Sequence, residues 1–188
     1  MPPLMSDPLF HLLPDLLGPA DLAAVRAGLA GAAREASTVS GAAERRVVNL
    51  ARRSTRLTPS AEIVALLRDR LLAARPILEA QFGQPLGALE PLQILSYSPG
   101  DYFVAHQDGN TPLIFDDTRH RRVSLSLLLS PAEDWTGGDL VFHGAERQVA
   151  RIPAGGAIAF RAESTHEVTV METGKRLSVA AWFRAPAS

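Results

Sequence analysis

Short apolar runs separated by turn residues fill the chain from residue 91 onward. Serine, proline and glycine end several of these runs, as at Ser98-Pro99-Gly100 and Ser130-Pro131. Short strands joined by turns, with no helical stretch between them, are typical of an antiparallel sandwich or jelly roll. We predict strands at Leu92–Tyr97, Arg122–Leu129, Leu140–His143, Ala157–Phe160, Val168–Met171 and Leu177–Phe183.

Residues 1 to about 90 instead show apolar residues at helical spacing, so this part is expected to be mainly helical. Asp21 is suited to cap a first helix that runs towards Ala33, and Ser60 is suited to cap a second, stronger one. Pro76 marks the limit of that second helix or a kink in it. A short strand is expected at Arg46–Leu50.

The two patterns together predict an α+β fold, with a double-stranded β-helix (jelly roll) core and a helical N-terminal layer. The chain has 188 residues, which is the length of one domain. We expect a single domain over residues 1–188. In it, residues 1–90 supply helical support with a short strand, and residues 91–185 form the jelly-roll core.

Composition excludes several kinds of function. The chain has no cysteine, which removes disulfides, zinc–thiolate sites, iron–sulfur clusters and thiol nucleophiles. Its net charge of −1 gives no general basic surface, so no nucleic-acid binding is expected. The first residues lack the pattern of a signal peptide, and every apolar stretch is shorter than the about 20 residues of a membrane span. We therefore expect no membrane association and a cytoplasmic location.

His106 and Asp108 form a His-x-Asp pair that is suited to metal binding. In an extended segment, residues i and i+2 project to one side with α-carbons about 6.6 Å apart, so both side chains can reach one cation. His166, from another strand, would complete the two-histidine, one-carboxylate triad of non-haem Fe(II) oxygenases. A His-x-acid match is expected by chance about half a time in this chain, so His106 taken alone is better explained as a hydrogen-bonded core histidine.

Arg176 begins the last predicted strand. The period of 2 in a strand defines two faces, Arg176-Ser178-Ala180-Trp182 and Leu177-Val179-Ala181. A cation, a hydroxyl and an indole on one face are unusual for core packing and suit a pocket, although Trp182 taken alone is better explained as a core residue. The guanidinium can bind a carboxylate through two hydrogen bonds, and Ser178 can donate another to the same group.

Several segments resemble the prolyl 4-hydroxylase-like 2-oxoglutarate/Fe(II)-dependent dioxygenases. Tyr97-Ser-Pro-Gly100-Asp-Tyr102-Phe-Val-Ala-His106-Gln-Asp108 is similar to the Tyr-x-x-Gly-x-x-Tyr-x-x-His-x-Asp segment of that family, with one residue fewer between Gly100 and Tyr102. The stretches that resemble later parts of the family are Arg122–Leu129, Trp135–Phe142, Pro153–Phe160 and His166 through Trp182. The resemblance covers about residues 90–185.

The resemblance implies Fe(II) bound by His106, Asp108 and His166. It also implies 2-oxoglutarate as co-substrate, with its far carboxylate on Arg176 and a hydrogen bond from Tyr97. The implied reaction consumes O2, releases succinate and CO2, and hydroxylates an unactivated C–H bond. The implied substrate is a small molecule or a peptide, such as a prolyl residue, an amino acid or a small metabolite.

One departure from the family concerns the co-substrate. Leu128 stands where many members have a tyrosine, so the second anchor of 2-oxoglutarate is open, and Ser178 or Ser124 could replace it. The function has alternatives as well. A non-catalytic jelly-roll module could bind a small acid or a partner protein, and a hydrolase or isomerase could use the same three ligands with another metal. The latter leaves Arg176 unexplained.

Two further segments have open interpretations. Asn110–Arg121 is long and polar with apolar residues in its middle, so it is a candidate lid over the site or a disordered connection. The arginine pairs Arg45-Arg46, Arg52-Arg53 and Arg121-Arg122 are expected on a solvated surface, although Arg52-Arg53 could lie near the pocket.

Overall fold

The computed structural model describes residues 8–37 and 51–187, so the strand predicted at Arg46–Leu50 lies outside the described residues. The helices in these ranges are α1 (Pro19–Leu29), α2 (Ala61–Ala73) and α3 (Arg75–Phe82). The strands are β1 (His11–Leu13), β2 (Ala33–Ala36), β3 (Arg52–Arg53), β4 (Thr55–Thr58), β5 (Gln93–Tyr97), β6 (Tyr102–His106), β7 (Arg121–Leu128), β8 (Trp135–Gly137), β9 (Leu140–His143), β10 (Arg147–Val149), β11 (Ala157–Arg161), β12 (His166–Val168), β13 (Met171–Gly174) and β14 (Arg176–Arg184).

The strands form two main antiparallel sheets and a small ribbon. The larger sheet has the order β1-β11-β7-β14-β5-β4-β2, and the smaller one has the order β10-β9-β12-β6-β3. Strands β8 and β13 pair separately as the ribbon. An apolar cluster joins residues of both main sheets, including Tyr97 and Phe160 from the larger and Phe142 and Val168 from the smaller. This is the predicted α+β arrangement with a jelly-roll core.

The helices cover the other face of the larger sheet. Val25 of α1, Leu67 of α2 and Leu78 of α3 are fully buried in one cluster with Val179 and Phe183 of β14. Burial of a large aliphatic side chain favours folding by roughly 1.5–3 kcal/mol, so this layer holds the central strand β14 in place. None of the helices in the described ranges is both long and apolar enough to cross a membrane.

The beginning of α1 differs from the prediction. The helix starts at Pro19 with Gly18 as its N-cap, not at Asp21. Proline is favoured at the first helical position because its φ is already helical and its missing N–H needs no partner there. Asp21 instead accepts a hydrogen bond of 2.6 Å from Arg70 Nε of α2.

The first 90 residues also contain more strand than predicted. The segment expected to continue the first helix forms β2, whose residues pair with β4. β1, β3 and β4 extend the two sheets, which sequence periodicity cannot reveal in strands this short. Ser60 is the N-cap of α2, as predicted, although its side chain makes no capping hydrogen bond. Near Pro76 the helical stretch is divided, since α2 ends at Ala73 and α3 begins at Arg75.

The predicted strand Val168–Met171 is wrong as a single element. β12 begins at His166 and pairs with β6 and β9 of the smaller sheet, whereas β13 begins at Met171 and pairs with β8. The chain therefore leaves one sheet for the ribbon between Val168 and Met171. His166 is the first residue of β12 and is paired on both sides, with His106 of β6 and Phe142 of β9.

Candidate active site

His106, Asp108 and His166 come together at one end of the smaller sheet. His106 ends β6 and is the cross-strand partner of His166 on β12. Asp108 Oδ1 lies 3.3 Å from His106 Nε2, and its Oδ2 lies 3.7 Å from His166 Nε2. One ligand atom from each of the three residues lies within 4.8 Å of the others, which is compact enough for all three to bind one metal ion.

The backbone sets the orientation of both imidazole rings. His106 Nδ1 donates to the carbonyl of Val104 at 2.8 Å, and His166 Nδ1 donates to the carbonyl of Ser164 at 2.9 Å. A carbonyl only accepts, so these bonds place the proton on Nδ1 in each neutral ring. The lone pair of each ring is then on Nε2, which is the nitrogen that faces Asp108.

The charges of the three residues favour metal binding. Burial alone opposes ionisation of Asp108, but the electrostatic interaction with His166 and the contact with His106 outweigh it and hold the pKa of Asp108 well below its ordinary value. The indole N–H of Trp182 also favours the ionised form of Asp108, although it does not make a full hydrogen bond to the carboxylate. Burial lowers the pKa of His166, which keeps its ring neutral. A carboxylate and a neutral imidazole are the forms that ligate metals.

Aromatic side chains pack around the two histidines, which the sequence patterns did not predict. The ring of Phe103 is stacked on His106 with centroids 3.6 Å apart. Phe160 meets the His166 ring edge-on at 4.6 Å, and Phe142 lies 5.8 Å from it. These contacts restrict both rings and keep water from their faces, so the ligand set is ordered before any metal binds.

Arg176 and Ser178 lie on the face of β14 that points between the two sheets, as the period of 2 predicted. Both line a cavity with Trp182, whereas Val179 and Phe183 of the same strand pack against the helices. In the strand pairing, Tyr97 of β5 lies opposite Arg176. The sequence therefore placed the guanidinium correctly on the inward face.

Arg176 is 2% exposed, and its positive charge has no carboxylate partner in ranges 8–37 and 51–187. Its Nη1 donates to Ser178 Oγ at 3.1 Å, its guanidinium carbon lies 5.6 Å from the centre of the Tyr97 ring, and its Nε has no partner among these residues. Burial lowers the pKa of Arg176, partly offset by Tyr97 and Asp139. A buried, unpaired cation is costly, so the site is suited to an anion.

The cross-strand register separates the two serines proposed as a second anchor. Ser178 lies opposite Leu128 and next but one to Arg176, whereas Ser124 lies opposite Trp182. Ser178 is therefore beside the guanidinium, and Ser124 is several residues away along the strand. Ser124 Oγ is buried and has no hydrogen-bond partner among the described residues.

Two neighbouring cavities meet at the candidate metal ligands. The inner cavity, of about 60 Å³, is lined by the three ligands together with Arg176, Ser178 and Tyr97. The entrance cavity, of about 200 Å³, is also lined by Gln93 and shares five residues with the inner one: Arg52, Phe103, His106, Asp108 and Trp182. A dicarboxylate that binds the metal at one end and Arg176 at the other fits the donor groups of the inner cavity. The entrance cavity gives a second molecule access to the same metal.

Arg121 supports the backbone of Asp108, which corrects the prediction that Arg121-Arg122 is a solvated surface. Arg121 is only 8% exposed, and its Nε and Nη2 donate to Glu90 Oε2 at 3.0 and 2.7 Å. Its Nη1 donates to the Asp108 carbonyl at 3.4 Å, and its guanidinium lies 3.9 Å from the centre of the Trp182 ring. No sequence signal links Glu90 to Arg121, because the contact depends on the pairing of distant strands.

The Asn110–Arg121 segment borders the entrance cavity. It contains a short 3-10 helix at Asp117–His120. Ile114 lines the entrance cavity, whereas Leu113 and Phe115 are 79% and 83% exposed. The segment thus presents two large apolar side chains to solvent at the rim of the cavity.

Trp182→Phe is expected to weaken metal binding by about threefold to tenfold, below the 10–100-fold often seen when a full hydrogen bond to a metal ligand is lost. The change removes the indole N–H beside Asp108 and keeps most of the packing with Arg121. The measurement is the Kd for Mn(II) by calorimetry. Trp135→Phe is the matched control, because Trp135 does not line the inner or the entrance cavity. An equal loss in both variants would contradict the role given to Trp182.

Residues 92–184 match the family model of the 2OG-Fe(II) oxygenase superfamily. A PKHD-type hydroxylase of Paracoccus denitrificans is 30% identical over 180 residues, which cover 92% of this chain and 77% of that protein. The crystal structure of a Pseudomonas putida prolyl-4-hydroxylase is 22% identical, covers 95% of this chain and 94% of its own, and has a TM-score of 0.64. The epimerase SnoN from nogalamycin biosynthesis, in complex with Fe3+, alpha ketoglutarate and nogalamycin RO, is 17% identical, with coverage of 95% and 80% and a TM-score of 0.63.

The family match and the hydroxylase relative confirm the enzyme class predicted from the sequence motifs, and the two solved structures confirm the jelly-roll fold. The protein is an enzyme of hydroxylase type that uses Fe(II), 2-oxoglutarate and O2. A non-catalytic binding module is not favoured. The chain belongs to the 2OG-Fe(II) oxygenase superfamily.

Proposed function

We propose that His106, Asp108 and His166 hold Fe(II) and that Arg176, Ser178 and Tyr97 hold 2-oxoglutarate while a substrate C–H bond is hydroxylated. The observation that carries this proposal is the single inner cavity that joins a compact set of three metal ligands to a buried, unpaired guanidinium. Fe(II), when bound, couples oxidative decarboxylation of 2-oxoglutarate to succinate with hydroxylation of the substrate.

The protein's own groups have separate tasks in this proposal. Asp108 supplies the negative charge that offsets part of the metal's charge, and the two histidines supply neutral nitrogen ligands. Arg176 binds the far carboxylate through the N–H groups of its guanidinium. The Ser178 hydroxyl donates another hydrogen bond, because its proton can turn towards the anion. Tyr97 lies opposite Arg176 and closes that end of the cavity.

We further propose that the substrate reaches the metal through the entrance cavity. Its lining mixes apolar surface from Phe103 and Ile114 with polar groups of Arg52, Gln93 and Asp116. Such a lining suits an amino acid, a small polar metabolite or one residue of a peptide. The exposed Leu113 and Phe115 at its rim offer apolar contacts to a longer peptide. A prolyl residue is one candidate, in line with the prolyl-4-hydroxylase of similar fold.

The domain and location predicted from the sequence remain proposals. We propose that residues 1–188 act as one domain, which is supported by the pairing of β1 with β11 and of β4 with β5. The cytoplasmic location rests on the lack of a recognisable targeting signal, and the absence of nucleic-acid binding rests on the net charge of −1.

The proposed function is tested by ligand-dependent stability and by turnover. Fe(II) under anaerobic conditions, and then 2-oxoglutarate in addition, are each expected to raise the Tm, because each binds only the folded chain. Succinate release is then screened over free amino acids, proline-containing peptides and metabolite pools, with mass spectrometry for gain of one oxygen atom. No change in Tm with either ligand would overturn the proposed site.

A further inference from the structure

A tight turn at residues 161–164 connects β11 to β12 and lies against the segment 106–109. Ser164 N donates to the carbonyl three residues earlier at 2.9 Å, which closes the turn. Ala162 within the turn is completely buried, and His166 follows two residues after the turn ends. The turn is therefore placed between the two parts of the candidate metal site.

Two main-chain carbonyls of this turn contact the two parts of the metal site. The Ala162 carbonyl accepts hydrogen bonds from the N–H groups of Asp108 and Gly109 at 2.8 and 3.1 Å. The Ser164 carbonyl accepts from His166 Nδ1 at 2.9 Å. Because both carbonyls belong to one short turn, the position of Asp108 relative to His166 depends on how the turn is held against the segment of Asp108.

Gln107 adds a side-chain contact between the turn and the segment of Asp108. Its Nε2 donates to the Glu163 carbonyl at 2.8 Å, in a partly buried hydrogen bond between residues 56 positions apart. Glu163 lies between the two residues whose carbonyls contact the metal ligands. The main-chain bonds of the turn do not depend on which side chains are present, whereas this bond requires a donor at the end of a side chain as long as that of glutamine. Residue 107 is thus a position at which the sequence determines how firmly the turn is held.

The opposite side of this segment is closed by tight packing. A β-carbon on Gly109 would lie 2.3 Å from the Thr118 carbonyl oxygen and 2.8 Å from the Arg121 β-carbon, which is closer than β-carbons approach other atoms. The main chain at Gly109 is therefore packed closely against these residues and cannot shift towards them. If the contact of Gln107 is lost, the freedom to move belongs to the turn and to His166 beyond it.

We propose that Gln107 is a positioning residue, which holds the turn in place and so fixes the distance between Asp108 and His166 before the metal binds. This inference rests on the proposed function, which assigns the metal to these residues. Asp108 Oδ2 and His166 Nε2 lie 3.7 Å apart. Ligands that are held near their bound geometry bind a metal more tightly, because less ordering is left for the binding step. The side chain of Gln107 acts through the main chain of the turn and not by contact with the metal.

The test uses Gln107→Met, which keeps the length of the side chain and removes its donor. Calorimetry on the full chain, without 2-oxoglutarate or substrate, gives the Kd of Mn(II). We expect this Kd to rise about threefold to tenfold, which is less than the 10–100-fold for groups that bond directly to a metal ligand. The electron paramagnetic resonance lines of bound Mn(II) are expected to broaden, because the ligand geometry becomes less uniform. Gln107 also lines the entrance cavity, so leaving out the substrate excludes an effect of direct substrate contact.

Thr169→Val is the matched control, because it removes a hydrogen bond of the same kind at the other end of β12. Thr169 Oγ1 accepts from Asp139 N at 2.9 Å, in a partly buried contact between a side chain and the main chain. Thr169 lines neither the inner nor the entrance cavity. The control is expected to lower the Tm, as Gln107→Met does, but to leave the Kd and the spectrum of Mn(II) unchanged. A hydrogen bond with only a structural role gives that result.

A second variant, Gln107→Asn, keeps an amide but is one methylene shorter, so it tests the same contact even where Gln107→Met fails to fold. It is expected to raise the Kd of Mn(II) in the same way. If the folded variants at position 107 bind Mn(II) as tightly as the unmodified chain, with an unchanged spectrum, the inference is overturned alone. It is also overturned if Thr169→Val weakens Mn(II) binding as much as the loss of the Gln107 donor does. If Mn(II) does not bind to the unmodified chain, the proposed function fails as well.

Discussion

Replacing His166 with alanine is expected to weaken Fe(II) binding by at least about 100-fold, because even groups that only support a ligand are worth 10–100-fold. The variant loses one of three protein ligands, and the two that remain come from one short segment, His106 and Asp108. The measurement is the Kd for Fe(II) under anaerobic conditions, with Mn(II) as a redox-stable probe. Succinate release is expected to fall to background.

The matched control is His143→Ala. His143 ends β9, beside His166 in the same sheet, and its Nε2 lies 3.2 Å from Glu167 at the surface. Removal of this exposed pair should change stability by at most about 1 kcal/mol and leave the metal Kd unchanged. Equal metal affinity in His166→Ala and the unmodified chain, with both folded by circular dichroism, would remove His166 from the ligand set.

Replacing Arg176 with methionine is expected to weaken 2-oxoglutarate binding by about 30-fold or more, because a buried charge contact with a ligand is typically worth 2–5 kcal/mol. The same change should leave the Tm of the ligand-free chain unchanged or higher. The reason is that Arg176 is 2% exposed and lacks a carboxylate partner among the described residues, so methionine removes a costly charge and keeps most of the volume. Calorimetry with Mn(II)-loaded protein and a melting curve without ligands measure the two effects.

The opposite changes in ligand affinity and stability distinguish a ligand-binding arginine from a structural one. If Arg176 were structural, its replacement would lower the Tm. Co-substrate affinity would then fall only in proportion to the fraction of unfolded protein. Arg184→Met is the control on the same strand, because Arg184 is partly exposed, lies outside the inner cavity and pairs with Asp117 at 2.7 Å. It should leave co-substrate binding intact. Arg176→Lys, which keeps the charge without the planar fork, is expected to bind with intermediate affinity.

The parts of the site that follow strand periodicity were predictable from the sequence. Alternation along β14 placed Arg176 and Ser178 on the inward face, because successive side chains of any strand point to opposite sides. His106 and Asp108 also lie side by side, although Asp108 comes just after the end of β6 rather than within it. These predictions needed only the local chain, together with motifs that resemble a known family.

The parts that depend on distant pairing were not predictable. The Glu90–Arg121 pair joins residues far apart in the chain, and neither has a local pattern that marks it as buried. The division of Val168–Met171 into two strands depends on the position of the ribbon partner β8, which periodicity does not show. The Gln107–Glu163 contact likewise joins two segments that are distant in the sequence, and no local pattern marks Gln107 for it.

The two ring-orienting hydrogen bonds of His106 and His166 end on main-chain carbonyls, those of Val104 and Ser164, rather than on side chains. The orientation of both imidazole rings is therefore set by the path of the backbone. Substitution of the side chains at positions 104 and 164 leaves these hydrogen bonds in place, provided that the backbone keeps its path. Val104 is already 42% exposed, so the edge of this site offers positions where a tether or a reporter can be attached without retuning the metal ligands.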